Sequence, residues 1–370
     1  MTSLHNLRKI YYDPKIFYLQ KYGGISRYFI NLVKNLDKNC YQPKIIAPIF
    51  INKYLSEIDY KYKTNLLRIK SHPKFTRKIS NYINDTFFYL SSYFGKPKII
   101  HSTYYSKIHN PKNCKIVITV YDLIHEIFNE QFKFKTTKNS KQECLNQADK
   151  IICISENTRK DLLDYYKVDK KKIVVIPLGY PEHKDCENID ESVFLKPYIL
   201  YVGDRNNYKN FKNFIKSYCN SNTLYKNFNI VCFGGNKLST DEKNFFATEK
   251  IDLKKIKFLD GNDKKLNLLY KKASLYVCPS LYEGFGLTIL EAMNMNCPII
   301  ASETSSLKEI GKNKIEYFDP KSIDDMQNKI ENLIFNEEKK IKMINEYPEH
   351  LKNFTWKKTA YLTKKIYDEL

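Results

Sequence analysis

The sequence predicts an α/β protein with two domains, each built on a parallel sheet. Three observations carry this. At 370 residues the chain exceeds the usual size of a single core. Short apolar runs with the length and flanks of buried parallel strands recur along it, among them Lys115-Ile-Val-Ile-Thr-Val120 and Ala273-Ser-Leu-Tyr-Val-Cys-Pro279. Between such runs lie segments whose apolar residues fall at helical spacing, so the pattern reads as strand, turn, helix, strand.

Composition narrows the class. Hydrophobic residues at 42% and aromatics at 14% support packed cores, and 28% charged residues is ordinary for a soluble protein. The formal net charge of +21 fits an anionic partner such as a nucleotide sugar, an anionic membrane or a nucleic acid. It equally fits a compositional bias toward Lys, Asn, Ile and Tyr. Nine cysteines are scattered without Cys-x-x-Cys or metal-ligand spacing, as expected in a reducing cytoplasm. The sequence shows no signal-peptide stretch and no run near the ~20 apolar residues of a spanning helix, so the expectation is a soluble or peripheral protein.

In the first half, Arg8-Lys-Ile-Tyr-Tyr12 reads as the opening strand. The double glycine Gly23-Gly24 then opens a helix carrying Phe29, Leu32, Val33 and Leu36, and a glycine-opened helix is a backbone cradle for anions or a plain turn. Lys44-Ile-Ile-Ala-Pro48 is a second strand. Residues 66–98 stand apart: Arg68, Lys70, Lys74, Arg77 and Lys78 are basic, while Ile79, Tyr82, Ile83, Thr86, Phe87 and Leu90 form one stripe of a helix. Two readings fit, a helix lying in an anionic membrane interface and a core-facing helix with a solvated basic side. Lys98-Ile-Ile-His101 and the run ending at Val120 are buried strands, and the latter leads into Tyr121-Asp122-Leu-Ile-His125-Glu126. Polar groups just past a strand's carboxyl end are where α/β sites collect, and His125, beside Asp122 and Glu126, is either a proton-transfer group or an ordinary exposed loop histidine. Residues 180–196 are polar and lack periodicity, and are expected to be the linker.

The second half restarts with Tyr198-Ile-Leu-Tyr-Val-Gly203, followed by Arg205 and Lys209, a planar fork and a point charge suited to a diphosphate. The chain centres on Leu281-Tyr-Glu-Gly-Phe-Gly-Leu-Thr-Ile-Leu-Glu-Ala-Met293. Glu283-Gly284-Phe285-Gly286 breaks the strand pattern, and a helix is expected from about Leu287. The amides of Gly286, Leu287 and Thr288 would sit at its N-terminus, where free N–H groups and the helix dipole favour a phosphate. Glu283 and Glu291, on either side, can accept hydrogen bonds from paired hydroxyls. The alternative is an ordinary exposed turn followed by a surface glutamate.

The Glu-Gly-Phe-Gly-Leu-x-x-x-Glu-Ala-Met run resembles the Glu-x7-Glu signature of retaining glycosyltransferases of family 4. The likeness extends in order along almost the whole chain, through Gly-Gly-Ile-Ser-Arg-Tyr28, Tyr121-Asp122, the strand-Ser155-helix element, Arg205 with Lys209, and a closing element from Asn353 to Leu370. It implies the GT-B fold, two Rossmann-like domains facing a cleft. Expected extents are an N-terminal acceptor-side domain over 1–185, joined by 353–370, and a C-terminal nucleotide-sugar domain over 186–352. It implies further that Glu283 and the amides from Gly284 to Thr288 hold donor sugar and diphosphate, that Glu291 holds the ribose, and that Arg205 and Lys209 neutralise the leaving diphosphate. Gly23 and Gly24 would face the donor phosphates. Many relatives carry His-Asp where this chain has Tyr121-Asp122, so the resemblance implies Asp122 first and His125 second as the group covering the acceptor side of the sugar.

The expected activity is metal-independent retaining transfer, without cofactor, of a hexose from a GDP-mannose-type or UDP-sugar donor to a glycan or lipid-linked acceptor. O-antigen or capsule assembly is the expected setting, in the cytoplasm or peripheral on the membrane's inner face. One rival is a sugar-nucleotide epimerase or phosphorylase of the same fold. The other is a basic nucleic-acid-binding protein, which the absence of any recognition motif in the sequence disfavours.

Overall fold

The computed structural model describes residues 7–70, 77–105, 108, 114–129, 135–181, 185–205, 207–235 and 237–370, with 135–139 in backbone only. The chain divides into two units, Met1–Gly179 with Phe354–Leu370, and Tyr180–Asn353. The first division falls a few residues before the 185/186 boundary expected from the polar linker.

Unit 1 contains β1 (Arg8–Tyr12), β2 (Tyr41–Ile46), β3 (Ile49–Phe50), β4 (Lys63–Thr64), β5 (Leu67–Arg68), β6 (Ile99–Ser102), β7 (Lys115–Val120), β8 (Lys150–Cys153) and β9 (Ile173–Val175). Seven of them form one sheet in the order β4-β2-β1-β6-β7-β8-β9, while β3 and β5 pair separately. Every pairing is parallel. This explains why the strands read as continuous apolar runs: a parallel strand is covered on both faces, and β7 is buried from Ile116 to Val120.

Unit 2 contains β10 (Tyr198–Val202), β11 (Asn229–Phe233), β12 (Ile256–Leu259), β13 (Leu275–Cys278), β14 (Ile299–Ser302) and β15 (Glu316–Phe318). They form a parallel sheet in the order β12-β11-β10-β13-β14-β15. Both sheets are doubly wound in the Rossmann manner. The strand order reverses between β1 and β6 in unit 1 and between β10 and β13 in unit 2, and ligands of such sheets bind beyond the carboxyl ends of the strands at that reversal.

The closing helix Trp356–Asp368 belongs to unit 1. It lies against the helix Gly24–Asn35 and buries Trp356, Thr359, Ala360, Thr363, Ile366 and Tyr367. Tyr367 Oη meets His101 Nδ1 at 2.6 Å, and His101 Nε2 meets Thr119 Oγ1 at 2.8 Å. A fully buried imidazole therefore ties the closing helix to β6 and β7. A Cβ on Gly179 would stand 2.3 Å from the amide nitrogen of Trp356, so only glycine lets the chain pass the start of this helix.

The helix Arg77–Gly95 overturns the reading of its stripe as core-facing. Its buried residues are Asn84, Phe88 and Ser92, while Ile79, Tyr82, Ile83, Tyr89, Leu90, Tyr93 and Phe94 are exposed. Of the expected stripe only Phe87 is partly buried against the core. The inward side is fixed by a two-way hydrogen bond: Ile49 N donates to Asn84 Oδ1 at 2.9 Å, and Asn84 Nδ2 donates to Ile49 O at 3.0 Å. Asn84 thereby satisfies backbone groups of β3, with Phe88 packed in the core beside it. Lys74 lies outside the described residues.

Candidate functional site

The reversal between β10 and β13 brings two charged residues of unit 2 together. Beyond β10 the chain makes the short turn Asn207–Lys209, and Asn210, at φ 57°, opens the helix Phe211–Asn220. Lys209 Nζ then lies 2.6 Å from Glu283 Oε1, with the two side chains 18% and 16% exposed. Ser280 Oγ donates to the same oxygen at 2.6 Å. The Glu283 backbone is clamped as well. Its N–H donates to Ser305 Oγ at 2.9 Å, and its carbonyl accepts from Ser306 Oγ at 2.7 Å. Leu281 N donates to Tyr208 O at 2.7 Å, which joins the two loops. Burial works against the Lys209 ammonium, but Glu283 and Tyr208 outweigh it and hold its pKa above the ordinary lysine value. Lys209 is a fixed cation at a partly open position.

Gly286 sits in the left-handed region at φ +99° as the N-cap of the helix Leu287–Asn294, with no side-chain cap on the first turn. A Cβ there would meet Leu307 Cδ2 at 3.1 Å, so both conformation and space call for glycine. Gly284 and Phe285 are buried, and Leu287 and Thr288 half-buried. Glu291 is buried one turn into the helix and accepts a hydrogen bond from Tyr270 Oη at 3.4 Å.

Arg205 is placed differently. Its guanidinium is nearly buried and pairs through Nε with Glu242 Oε1 at 2.5 Å. Its Nη1 donates to Gly234 O at 3.3 Å, and the group stands over the Phe258 ring at 5.1 Å. Glu242 also closes the capping box of the helix Thr240–Thr248 by accepting from Ser239 N. In this structure the fork of Arg205 thus supports the Gly234-Gly235 turn. Beside that turn, at the carboxyl ends of β11 and β12, lies a cavity of about 360 Å³ lined by Phe233, Leu259, Asp260, Lys265 and the chain around Asn188 and Asp190.

In unit 1, Asp122 and His125 follow β7. Asp122 Oδ1 accepts from Ile124 N at 3.2 Å and starts the short helix Ile124–Ile127. His125 is half-buried, and burial holds its pKa below the ordinary histidine value. Asp122 and Glu126 act against that lowering, and Lys141 adds to it. Tyr121 is turned into the core, edge-on to Tyr28 at 6.1 Å between ring centroids. At the double glycine the near neighbour is Gln20. Ser26 N donates to Gln20 Oε1 at 3.3 Å, and a Cβ on Gly23 would meet that oxygen at 2.3 Å, whereas Gly24 has open space. The start of the helix Gly24–Asn35 is therefore capped by a carboxamide of its own unit.

Sequence reasoning missed Ser280, Ser305, Ser306, Glu242 and Lys141. Ser305 and Ser306 stand in a helix-opening segment, but nothing in that segment points to Glu283, 22 positions earlier. Among the described residues no group of three or more His, Cys, Asp or Glu is placed to hold a metal ion, and no helix is long and apolar enough to cross a membrane.

Two parallel, doubly wound sheets with one strand reversal each are the Rossmann-like pair of a GT-B architecture, and comparison with known proteins gives the class. Residues 22–183 match the family described as Glycosyltransferase Family 4, and residues 187–350 the family described as Glycosyl transferases group 1. The chain belongs to the group 1/family 4 glycosyltransferases.

Particular relatives are more distant. The chain is 28% identical over 254 residues to the O-antigen chain mannosyltransferase RfbU of Salmonella typhimurium, covering 65% of this chain and 66% of that protein. It is 30% identical over 237 residues to the UDP-Gal:alpha-D-GlcNAc-diphosphoundecaprenol alpha-1,3-galactosyltransferase of Escherichia coli, covering 60% and 56%. An uncharacterized glycosyltransferase of Methanocaldococcus jannaschii matches at 27% over 382 residues, 96% of this chain and 97% of that one. Among solved structures, sucrose-phosphate synthase from Thermosynechococcus elongatus superposes with a TM-score of 0.75 at 17% identity, covering 98% of both chains. The Anabaena protein Alr3699/HepE in complex with UDP-glucose gives 0.76 at 13%, covering 98% of this chain and all of that one (100%). These likenesses concern the fold.

Proposed function

We propose that this glycosyltransferase moves a hexose from a nucleoside-diphosphate sugar, of the GDP-mannose or UDP-sugar type, to a glycan or lipid-linked acceptor with retention of configuration. The observation that carries the reading is the Lys209–Glu283 pair at the strand reversal of unit 2, next to an uncapped helix start. A diphosphate arriving there competes with Glu283 for Lys209 and takes hydrogen bonds from the amides following Gly286. Glu283, released from the ammonium, turns its two oxygens to the sugar hydroxyls, and Glu291 serves the ribose. As the bond from the anomeric carbon to the phosphate oxygen breaks, charge grows on the β-phosphate, and a positioned cation with aligned amides stabilises that charge. The acceptor hydroxyl attacks from the face the diphosphate leaves and gives its proton to the departing phosphate oxygen. Asp122, with His125 beside it, serves the acceptor side. No metal ion or cofactor is assigned a step. For Arg205 to join Lys209 on the phosphate, its pair with Glu242 has to open. The base is assigned to the cavity beside Gly234-Gly235.

A setting in surface polysaccharide assembly is in keeping with the activities of the O-antigen and diphosphoundecaprenol relatives, and the reading places it on the inner face of the membrane. The exposed face of Arg77–Gly95 supports a lipid-linked acceptor. It joins apolar side chains to the exposed Arg68, Lys70, Arg77 and Lys78, as a helix on an anionic lipid surface requires.

Incubating GDP- and UDP-sugars with and without lipid-linked oligosaccharide acceptors, and following nucleoside diphosphate release, tests the reading. Acceptor-dependent release with a retained linkage is the expected result. Conversion of the donor without any acceptor would assign the chain to epimerases instead.

A further inference from the structure

Beneath the turn that carries Asp122 and His125, unit 1 buries an ion pair. Lys141 Nζ lies 3.0 Å from Glu126 Oε1, and the side chains are only 5% and 8% exposed. The same ammonium donates to the backbone carbonyl of Asp122 at 3.1 Å and stands 4.3 Å from the ring centroid of Tyr105. Tyr166 Oη donates to Glu126 Oε1 as well, and the Tyr166 ring lies 5.6 Å from the ammonium. Tyr105 Oη accepts from Tyr121 N at 3.3 Å. Lys141 comes from the helix Lys135–Gln147, Tyr105 from the segment after β6, and Tyr166 from the end of the helix Glu156–Tyr165. Three separate segments therefore converge on one short turn.

Burying two charges is expensive, and well-packed apolar side chains of similar volume commonly do as well or better for stability. The pair therefore needs another account, and its contacts supply one. Lys141 holds the carbonyl of Asp122 itself, and Glu126 holds the other end of the same turn. We propose that Lys141, acting through Glu126, is a positioning residue for the acceptor step, fixing the Asp122–His125 turn at the end of β7 and setting the charge around the His125 imidazole. This rests on the reading above that the turn serves the acceptor.

Asp122 and Glu126 stand on the same element as His125 and favour its imidazolium, while Lys141 opposes it. Tyr104, Tyr105 and Tyr166 face the same carboxylates, and burial pushes their phenols up, Tyr104 to about 12, so they stay neutral at working pH. Removing the cation alone therefore raises the His125 pKa, and removing the Glu126 charge alone lowers it. Mere loosening of the turn predicts no such opposition.

The test uses the full chain with Lys141→Met and Glu126→Gln, reading acceptor KM and kcat, donor affinity by calorimetry, and the His125 titration by NMR, assigned from the signal lost in His125→Gln. Lys141→Met should lower kcat/KM for the acceptor on the order of tenfold to a hundredfold, the scale of a small misplacement of a reacting group, with donor affinity unchanged. The His125 midpoint should rise in Lys141→Met and fall in Glu126→Gln. Wild-type acceptor kinetics in Lys141→Met, or shifts of the same sign in both variants, would overturn the inference. If Lys141→Met does not fold, Lys141→Met with Glu126→Leu removes both charges and carries the same kinetic comparison. Full transfer by Asp122→Asn and His125→Gln would instead remove the underlying reading of the turn.

Discussion

In unit 2 the sheet reverses between β10 and β13, and the loops beyond bring Lys209 onto Glu283 at a partly exposed position. In unit 1 the sheet reverses between β1 and β6, and there Asp13 is buried against Thr103. Thr103 N and Oγ1 each donate to the Asp13 carboxyl at 2.7 Å, and Lys15 N donates at 2.8 Å. Burial pushes this carboxyl above the ordinary range, and the hydrogen bonds from Thr103 and Lys15 pull the other way. One reversal is closed by its own hydrogen bonds; the other presents a partly exposed cation, which on the proposed reading an incoming anion takes from its carboxylate. The same strand order occurs twice, and on the proposed reading side chains decide which reversal takes the donor.

The glycines break or sharpen that contrast with the largest expected effect. Gly286 has φ +99°, and a Cβ added to it would stand 3.1 Å from Leu307, whereas one on Gly24 would meet open space. Gly286→Ala should cost about 1–3 kcal/mol, the scale of forcing a side chain into a strained backbone region, and weaken donor binding. Gly24→Ala should be neutral or stabilise by about 0.4–1 kcal/mol. Melting temperatures of the two variants, with and without donor, check this; equal losses would erase the difference between the units.

A second comparison uses pH. Burial drives the His101 pKa down to about 3, so the folded state holds it neutral while the unfolded chain protonates it near 6.5. The unfolded state binds the extra proton between those values. The stabilisation is fully present above 6.5 and is lost as pH falls below it, by at most about 1.4 kcal/mol per pH unit. His350 of unit 2, lowered by burial against a bond to Ile310 O, works in the same direction. Replacing His101 by Gln should flatten the fall in melting temperature between pH 7 and 5; an unchanged slope would show that His101 does not control it.

The smallest effect on stability is expected on the helix Arg77–Gly95. Tyr93→Ser with Phe94→Ser, both exposed, should change stability by less than about 0.5 kcal/mol. Binding to vesicles containing anionic lipid should nevertheless fall sharply in a flotation assay, and undiminished binding would remove the helix from the membrane reading.

The strands were legible because a sheet covered on both faces demands uninterrupted apolar runs, and β7 and β13 are such runs. The turn at Glu283 was legible because its two glycines interrupt one. The facing of Arg77–Gly95 was not, since periodicity shows that a helix has an apolar side without showing where that side points. In the fold, Asn84 is the residue that meets β3, through two hydrogen bonds to Ile49. Partners were hidden for the same reason. Nothing near Arg205 in the sequence shows that Glu242, 37 positions on, holds its Nε, and a lysine within a polar helix gives no sign of reaching Glu126. Sequence names the reactive groups, and tertiary structure decides which are already engaged.

The central claim is that Lys209 grips the donor's diphosphate. Calorimetric titration of GDP- and UDP-sugars into the wild-type chain and Lys209→Met tests it without needing the acceptor. The account predicts a saturable site in the wild type and affinity weaker on the order of a hundredfold or more in the variant, with the fold intact by circular dichroism. Equal donor affinity in the two proteins would contradict it.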